Sequence, residues 1–177
     1  MKMLFALSLF AAILAIPAQA QNTPLKNYSG DTFHMKFVDS DSPVNIEINH
    51  SISDDGAKFD ARIFTQEYSG SVLMVDAIEY DSVRDTSPEM GDAVIARSFK
   101  ALDATVLKSY VNDTWTANGL TGREGSEAVH MGGKDYLVVE RVVVKGRRCY
   151  IIAALILVNS QLSGGDVRKI FDSFGVE

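Results

Sequence analysis

Cysteine is almost missing from this chain of 177 residues: Cys149 is the only one, so no intramolecular disulfide can brace the fold and core packing has to stabilise it. Basic residues are in the minority, 17 Lys and Arg against 23 Asp and Glu, for a formal charge of -6. Binding to phosphate backbones rests on clustered Lys and Arg, so this balance argues against nucleic acid and anionic membrane surfaces as partners. Catalytic signatures are scarce too. No G-x-S-x-G elbow surrounds Gly70-Ser71 or Gly125-Ser126, and no two of His34, His50 and His130 have the three- or four-residue spacing of a helical zinc site. The glycine pairs Gly132-Gly133 and Gly164-Gly165 lack the following Lys-Ser or Lys-Thr of a phosphate loop. Asp39-Ser40-Asp41 begins like a calcium loop, but Pro43 takes the fifth place and His50 falls where a bidentate Glu is needed. No metal and no cofactor is expected.

A long apolar run is present only at the start. Lys2 gives a positive n-region, Leu4 to Ile16 is apolar, and Ala18-Gln19-Ala20 has the small-x-small pattern of a cleavage site. The run is shorter than the roughly 20 residues that cross a bilayer, so residues 1–20 read as a signal peptide cut after Ala20, leaving no stable membrane anchor. The expected location is the periplasm or the medium. Lys2 leaves with the leader, which moves the formal charge from -6 to -7. Residues 21–177 are the size of one domain.

Within that domain, Thr32 to Val38, Val44 to Ile52, Lys58 to Tyr68 and Val72 to Tyr80 have strand chemistry, separated by Asp39-Ser40-Asp41-Ser42-Pro43, Asp54-Asp55-Gly56 and Ser69-Gly70-Ser71 turns. Gln21 to Gly30 reads as a lead-in strand or a loose tail. Ser87-Pro88-Glu89 opens a helix, and Ile95, Phe99, Leu102, Val106 and Tyr110 extend it at helical spacing to Tyr110. Four further strands follow, over Thr114 to Leu120, Glu124 to Met131, Tyr136 to Lys145 and Arg148 to Val158, with hairpin turns at Gly132-Gly133 and Gly146. A second helix is expected from Gly164 to Ser173. Both parities of Tyr150 to Val158 are apolar, which predicts a strand covered on two faces. Two helices are available as cover. The expected fold is therefore α+β, an antiparallel β-sheet flanked by helices as an α/β/α sandwich.

The least ordinary charged residues are Arg123, Glu124, Glu140, Arg141, Arg147 and Arg148. Alternation puts Arg141 on the face of Leu137, Val139 and Val143, which calls either for an ion pair with Glu124 or Glu127 or for a bound anion gripped by a guanidinium fork. Lys145, Arg147 and Arg148 form either a solvated hairpin tip or a contact surface. Cys149 reads as a buried small hydrophobe, with a reactive thiol as the rival. Trp115, Tyr136 and Tyr150 serve as core or line an apolar pocket.

Gly119, Gly122-Arg123-Glu124, the run from Arg141 to Tyr150 and Ile170-Phe171-Asp172-Ser173-Phe174 together resemble the C-terminal half of small exported bacterial proteins of the PsbP-like fold family. That resemblance covers Gly119 to Phe174. It implies an antiparallel sheet between helices and an accessory or binding role. The expected function is thus that of a non-enzymatic accessory or binding protein of the cell envelope, with an envelope protein or a small ligand as partner. The alternatives are a secreted hydrolase whose site is assembled only in the fold, and an envelope-stress or adhesion component.

Overall fold

Alternation of apolar and polar residues at a period of two builds most of this chain into strands. The computed structural model describes residues 23–53, 56–110 and 112–177. The expected leader with its expected cut after Ala20, and Asp54 and Asp55 of the expected Asp54-Asp55-Gly56 turn, lie outside the described residues. In order, the elements are β1 (Leu25–Ser29), β2 (Phe33–Val38), β3 (Asn45–Ile52), β4 (Lys58–Tyr68), β5 (Ser71–Tyr80), α1 (Pro88–Ala101), β6 (Thr105–Ser109), β7 (Asp113–Ala117), β8 (Leu120–Met131), β9 (Lys134–Lys145), β10 (Arg148–Leu157), α2 (Gly164–Asp172) and β11 (Gly175–Val176). An eight-stranded sheet runs β3-β4-β5-β10-β9-β8-β6, with β7 also paired to β8, and a three-stranded sheet runs β1-β2-β11. All of these pairings are antiparallel, and the β4–β5, β7–β8, β8–β9 and β9–β10 hairpins turn within two residues. Between β7 and β8 the connection is Asn118-Gly119, both at positive φ (52° and 73°), the geometry whose twist matches the flanking strands.

The α/β/α sandwich expected from the sequence is overturned. Strands make up 57% of the described residues and helices 15%, in two sheets. The physical reason lies on one face of β10, where Tyr150, Ile152, Ala154 and Ile156 are all buried. That face is covered by the three-stranded sheet, whose Phe33, Met35 and Phe37 point inward, together with α2, which adds Val167, Ile170 and Phe171. Phe33 sits at the centre of an aromatic cluster, 5.0 Å from Phe64 edge-on and 5.8 Å from Phe174 stacked. Burying each of these rings is worth about 1.5–3 kcal/mol. Gln66 of β4 joins the layers: it is fully buried, accepts from the Val38 amide at 2.9 Å, and donates to the Val38 and Ser42 carbonyls at 2.9 and 3.1 Å.

The opposite face carries a smaller cluster of Ala61, Ile78, Val142 and Cys149 beneath Ile95 of α1. α1 approaches closely because β8 offers Gly125, where a Cβ would stand 2.7 Å from Ile95 Cγ2. Ser87 caps the helix by accepting from the Met90 amide at 3.3 Å, and Pro88 occupies its first turn. The helix stops at Ala101, short of the expected Tyr110. Asp103 takes a left-handed φ of 47°, which ends the helical period, and Thr105 to Ser109 instead pair with β8. At the other end of the chain, Ser163 and Asp166 close a capping box at the start of α2.

Candidate functional site

Five of the six charged residues singled out above, all but Glu140, fall into three separate settings. Arg123 of β8 forks onto Asp92 of α1 through Nε (2.8 Å) and an Nη (3.2 Å), and also donates to the Asn112 carbonyl and the Thr114 hydroxyl. Those hydrogen bonds hold the Asp92 carboxyl below its ordinary range. This fork fastens α1 to the edge of the sheet.

Arg141 of β9 is 3% exposed. Its cross-strand neighbour Glu124 accepts from Nε, Asp172 at the end of α2 accepts from an Nη at 2.7 Å, and its guanidinium carbon lies 4.7 Å from the Trp115 ring centroid. A cavity of about 210 Å³ adjoins it, walled by Leu137, Val139, Ile156, Val167 and Phe171. Both acids are spent on the guanidinium, so Arg123, Glu124 and Arg141 serve to hold elements together.

Arg147 and Arg148, on the hairpin between β9 and β10, share Glu79 of β5 at 3.5 and 3.8 Å. Arg147 Nε also donates to the Tyr80 carbonyl at 2.9 Å. Arg148 instead lines a cavity of about 250 Å³, where the turn carrying Asp31 and Thr32 meets β4, β5 and β10. Phe33, Phe64 and Tyr150 supply its apolar floor, and the Tyr150 hydroxyl donates to the Thr32 carbonyl at 3.2 Å. Around the mouth stand Arg62, ion-paired with Asp31, and Asp60, which lies 2.6 Å from His50 Nδ1.

The histidines do not converge with Glu124 or Glu127. His130 Nδ1 lies 2.6 Å from Asp135, while Glu127 accepts from the Ser109 hydroxyl at 2.8 Å. Among the described residues there is no group of three or more His, Cys, Asp or Glu placed to hold a metal ion. Of the aromatics weighed as core or pocket lining, Trp115 and Tyr150 are core, and Tyr150 also lines the Arg148 cavity.

Asp76 escaped notice in the sequence, and Glu140 was singled out there without a partner. Asp76 of β5 and Glu140 of β9 lie on the face under α1, and Asp76 Oδ1 and Glu140 Oε1 have no hydrogen-bond partner among the described residues. Burial pushes Asp76 up to about 6 and Glu140 up to about 8, the latter opposed by a Ser98 hydrogen bond and reinforced by the Asp76 charge. Their signal was present as parity: Glu140 interrupts Val138 and Val142, and Asp76 interrupts Met74 and Ile78.

Cys149 is buried on this same face, and burial, then the nearby Asp76 and Glu140, push its thiol up to about 12. At neutral pH the native thiol is expected to resist iodoacetamide, since the thiolate is the nucleophile. Mass spectrometry of the native protein should find Cys149 unmodified on the timescale that labels it fully in urea; equal rates would show the side chain to be accessible.

No family model matches the sequence, and no curated protein matches it. Among solved structures, the protein of unknown function PA94 from Pseudomonas aeruginosa is similar with a TM-score of 0.38 at 9% identity, over 81% of this chain and 86% of that one.

Proposed function

We propose that this chain is an exported accessory protein of the cell envelope that binds a small zwitterionic ligand in the Arg148 cavity and catalyses nothing. Export is supported by Lys2, the Leu4 to Ile16 run and Ala18-Gln19-Ala20. The observation that carries the binding reading is the cavity itself, which joins an aromatic floor to charges of both signs at one mouth.

The ligand class follows from those charges. Asp31, Asp60 and Glu79 outnumber Arg62 and Arg148, so a polyanion is repelled, whereas a molecule bearing one acid and one amine meets a partner for each. Arg148 is ion-paired with Glu79 at 3.8 Å, longer than a hydrogen bond, so a ligand carboxylate would compete with Glu79 for its fork. A cavity of about 250 Å³ has room for roughly eight waters, which sets the scale at an amino acid or a molecule of similar size.

Calorimetric titration of the processed chain with amino acids and other small zwitterions tests the reading. A ligand should bind, and Arg148→Ala should weaken it by about 10-fold or more, the worth of a charged hydrogen bond. N-terminal sequencing of the same material should begin at Gln21. Binding that survives Arg148→Ala and Arg62→Ala unchanged, or a panel with no binder, would refute the cavity as the site.

A further inference from the structure

The two outer strands of the large sheet are finished differently. β6 is five residues long, shifts register between Val106 and Lys108, and shares β8 with β7. Shortness, a bulge and a lysine are the devices that stop another strand from adding to an edge. β3 has none of them. Its eight residues pair with β4 in unbroken register, all are exposed, and Glu47 is the only acid among them, with no lysine or proline. Ile46, Ile48 and Ile52 are 54%, 59% and 62% exposed, on the face of the sheet that β4 lines with the core residue Phe64.

We propose that β3 pairs antiparallel with β3 of a second copy of this chain, across a two-fold axis at Ile48, so that two sheets become one. An isologous contact has to be complementary to itself, and this strand meets that condition. With the axis at Ile48, Ile46 faces His50 of the second copy and Val44 faces its Ile52. One side of the joint is then a row of apolar residues interrupted only by His50, lying beside Phe64, Arg62, Asp60 and Lys58 of β4 on the same face. On the other side Glu47 faces Asn49 and Asn45 faces Ser51, so no two like charges oppose each other across the joint. An axis one residue earlier would set Glu47 against itself.

Sedimentation equilibrium of the processed chain over a concentration series should return a dimer. Ile48→Lys places two like charges at the axis and should raise the dimer dissociation constant by about 100-fold, with an unchanged circular dichroism spectrum. In a Cys149→Ser background, Ile48→Cys should give a covalent dimer on oxidation, while Val106→Cys on the guarded edge should not. A monomer at every concentration overturns the proposal, as does a dimer indifferent to Ile48→Lys. So does a monomer that takes up an added extended peptide along β3, since the occupant would then be a foreign strand.

Discussion

Replacing Arg141 with alanine is expected to lower the free energy of unfolding by about 3 kcal/mol, read as a shift in urea midpoint at constant slope. Breaking a buried ion pair from one side typically costs about 3–5 kcal/mol, because the abandoned charge stays where water cannot reach it. Here the abandoned acids are partly wet, Glu124 31% and Asp172 47% exposed at the side chain, which places the loss at the lower end. Part of it is loss of packing over the Trp115 and Phe171 rings. Arg141→Lys is expected to recover little, since an ammonium cannot serve acids on β8 and α2 while lying flat on an indole. A near-neutral Arg141→Ala would show that the joint between α2 and the sheet is made elsewhere.

Glu140→Gln is expected to change how stability depends on pH. In the folded protein Glu140 holds its proton up to about 8, against an ordinary value of 4.5. The native state therefore binds more protons than the unfolded chain between those values, and stability falls as pH rises through the window. The contribution is fully present below the unfolded value and is lost by about pH 8, at about 1.4 kcal/mol per pH unit. Asp76 adds a fall of the same sign between 3.8 and about 6. From pH 6 to pH 8 the slope belongs to Glu140, and the carboxamide should flatten it while keeping a group for Ser98 to bond. Urea midpoints at pH 6 and pH 8 for both proteins decide the matter. A slope that persists in Glu140→Gln would place the titration on another group.

Local pattern foretold the strands better than their assembly. β10 is apolar on both parities and does lie mid-sheet between β5 and β9. Phe33, Met35 and Phe37 alternate with His34 and Lys36, which identifies a strand but not which sheet it joins, since that depends on pairing with the distant β11. The sandwich expectation failed there: α2, nine residues long, is too small to cover a face by itself. The end of α1 misled for a different reason, because Val106 and Tyr110 keep helical spacing beyond a break set by the backbone of Asp103 alone. At the charged cluster, strand parity was enough to call for an acid beside Arg141, Glu124 or Glu127, and the fold uses Glu124, while Asp172 arrives from α2 and left no trace in spacing. Arg148 was visible as a residue, but its cavity depends on Asp31 arriving from a remote turn and Arg62 from β4.

Gln66 carries a consequence for how the layers come apart. Its carboxamide occupies the place beside Val38 that a neighbouring backbone would otherwise fill, so a side chain of the larger sheet completes the edge of the smaller one there. The proton on the Val38 nitrogen is thereby a gauge of separation. Its exchange with deuterium keeps time with the parting of the two layers, and comparison with amides inside β10 tells whether that parting precedes the collapse of the whole or coincides with it.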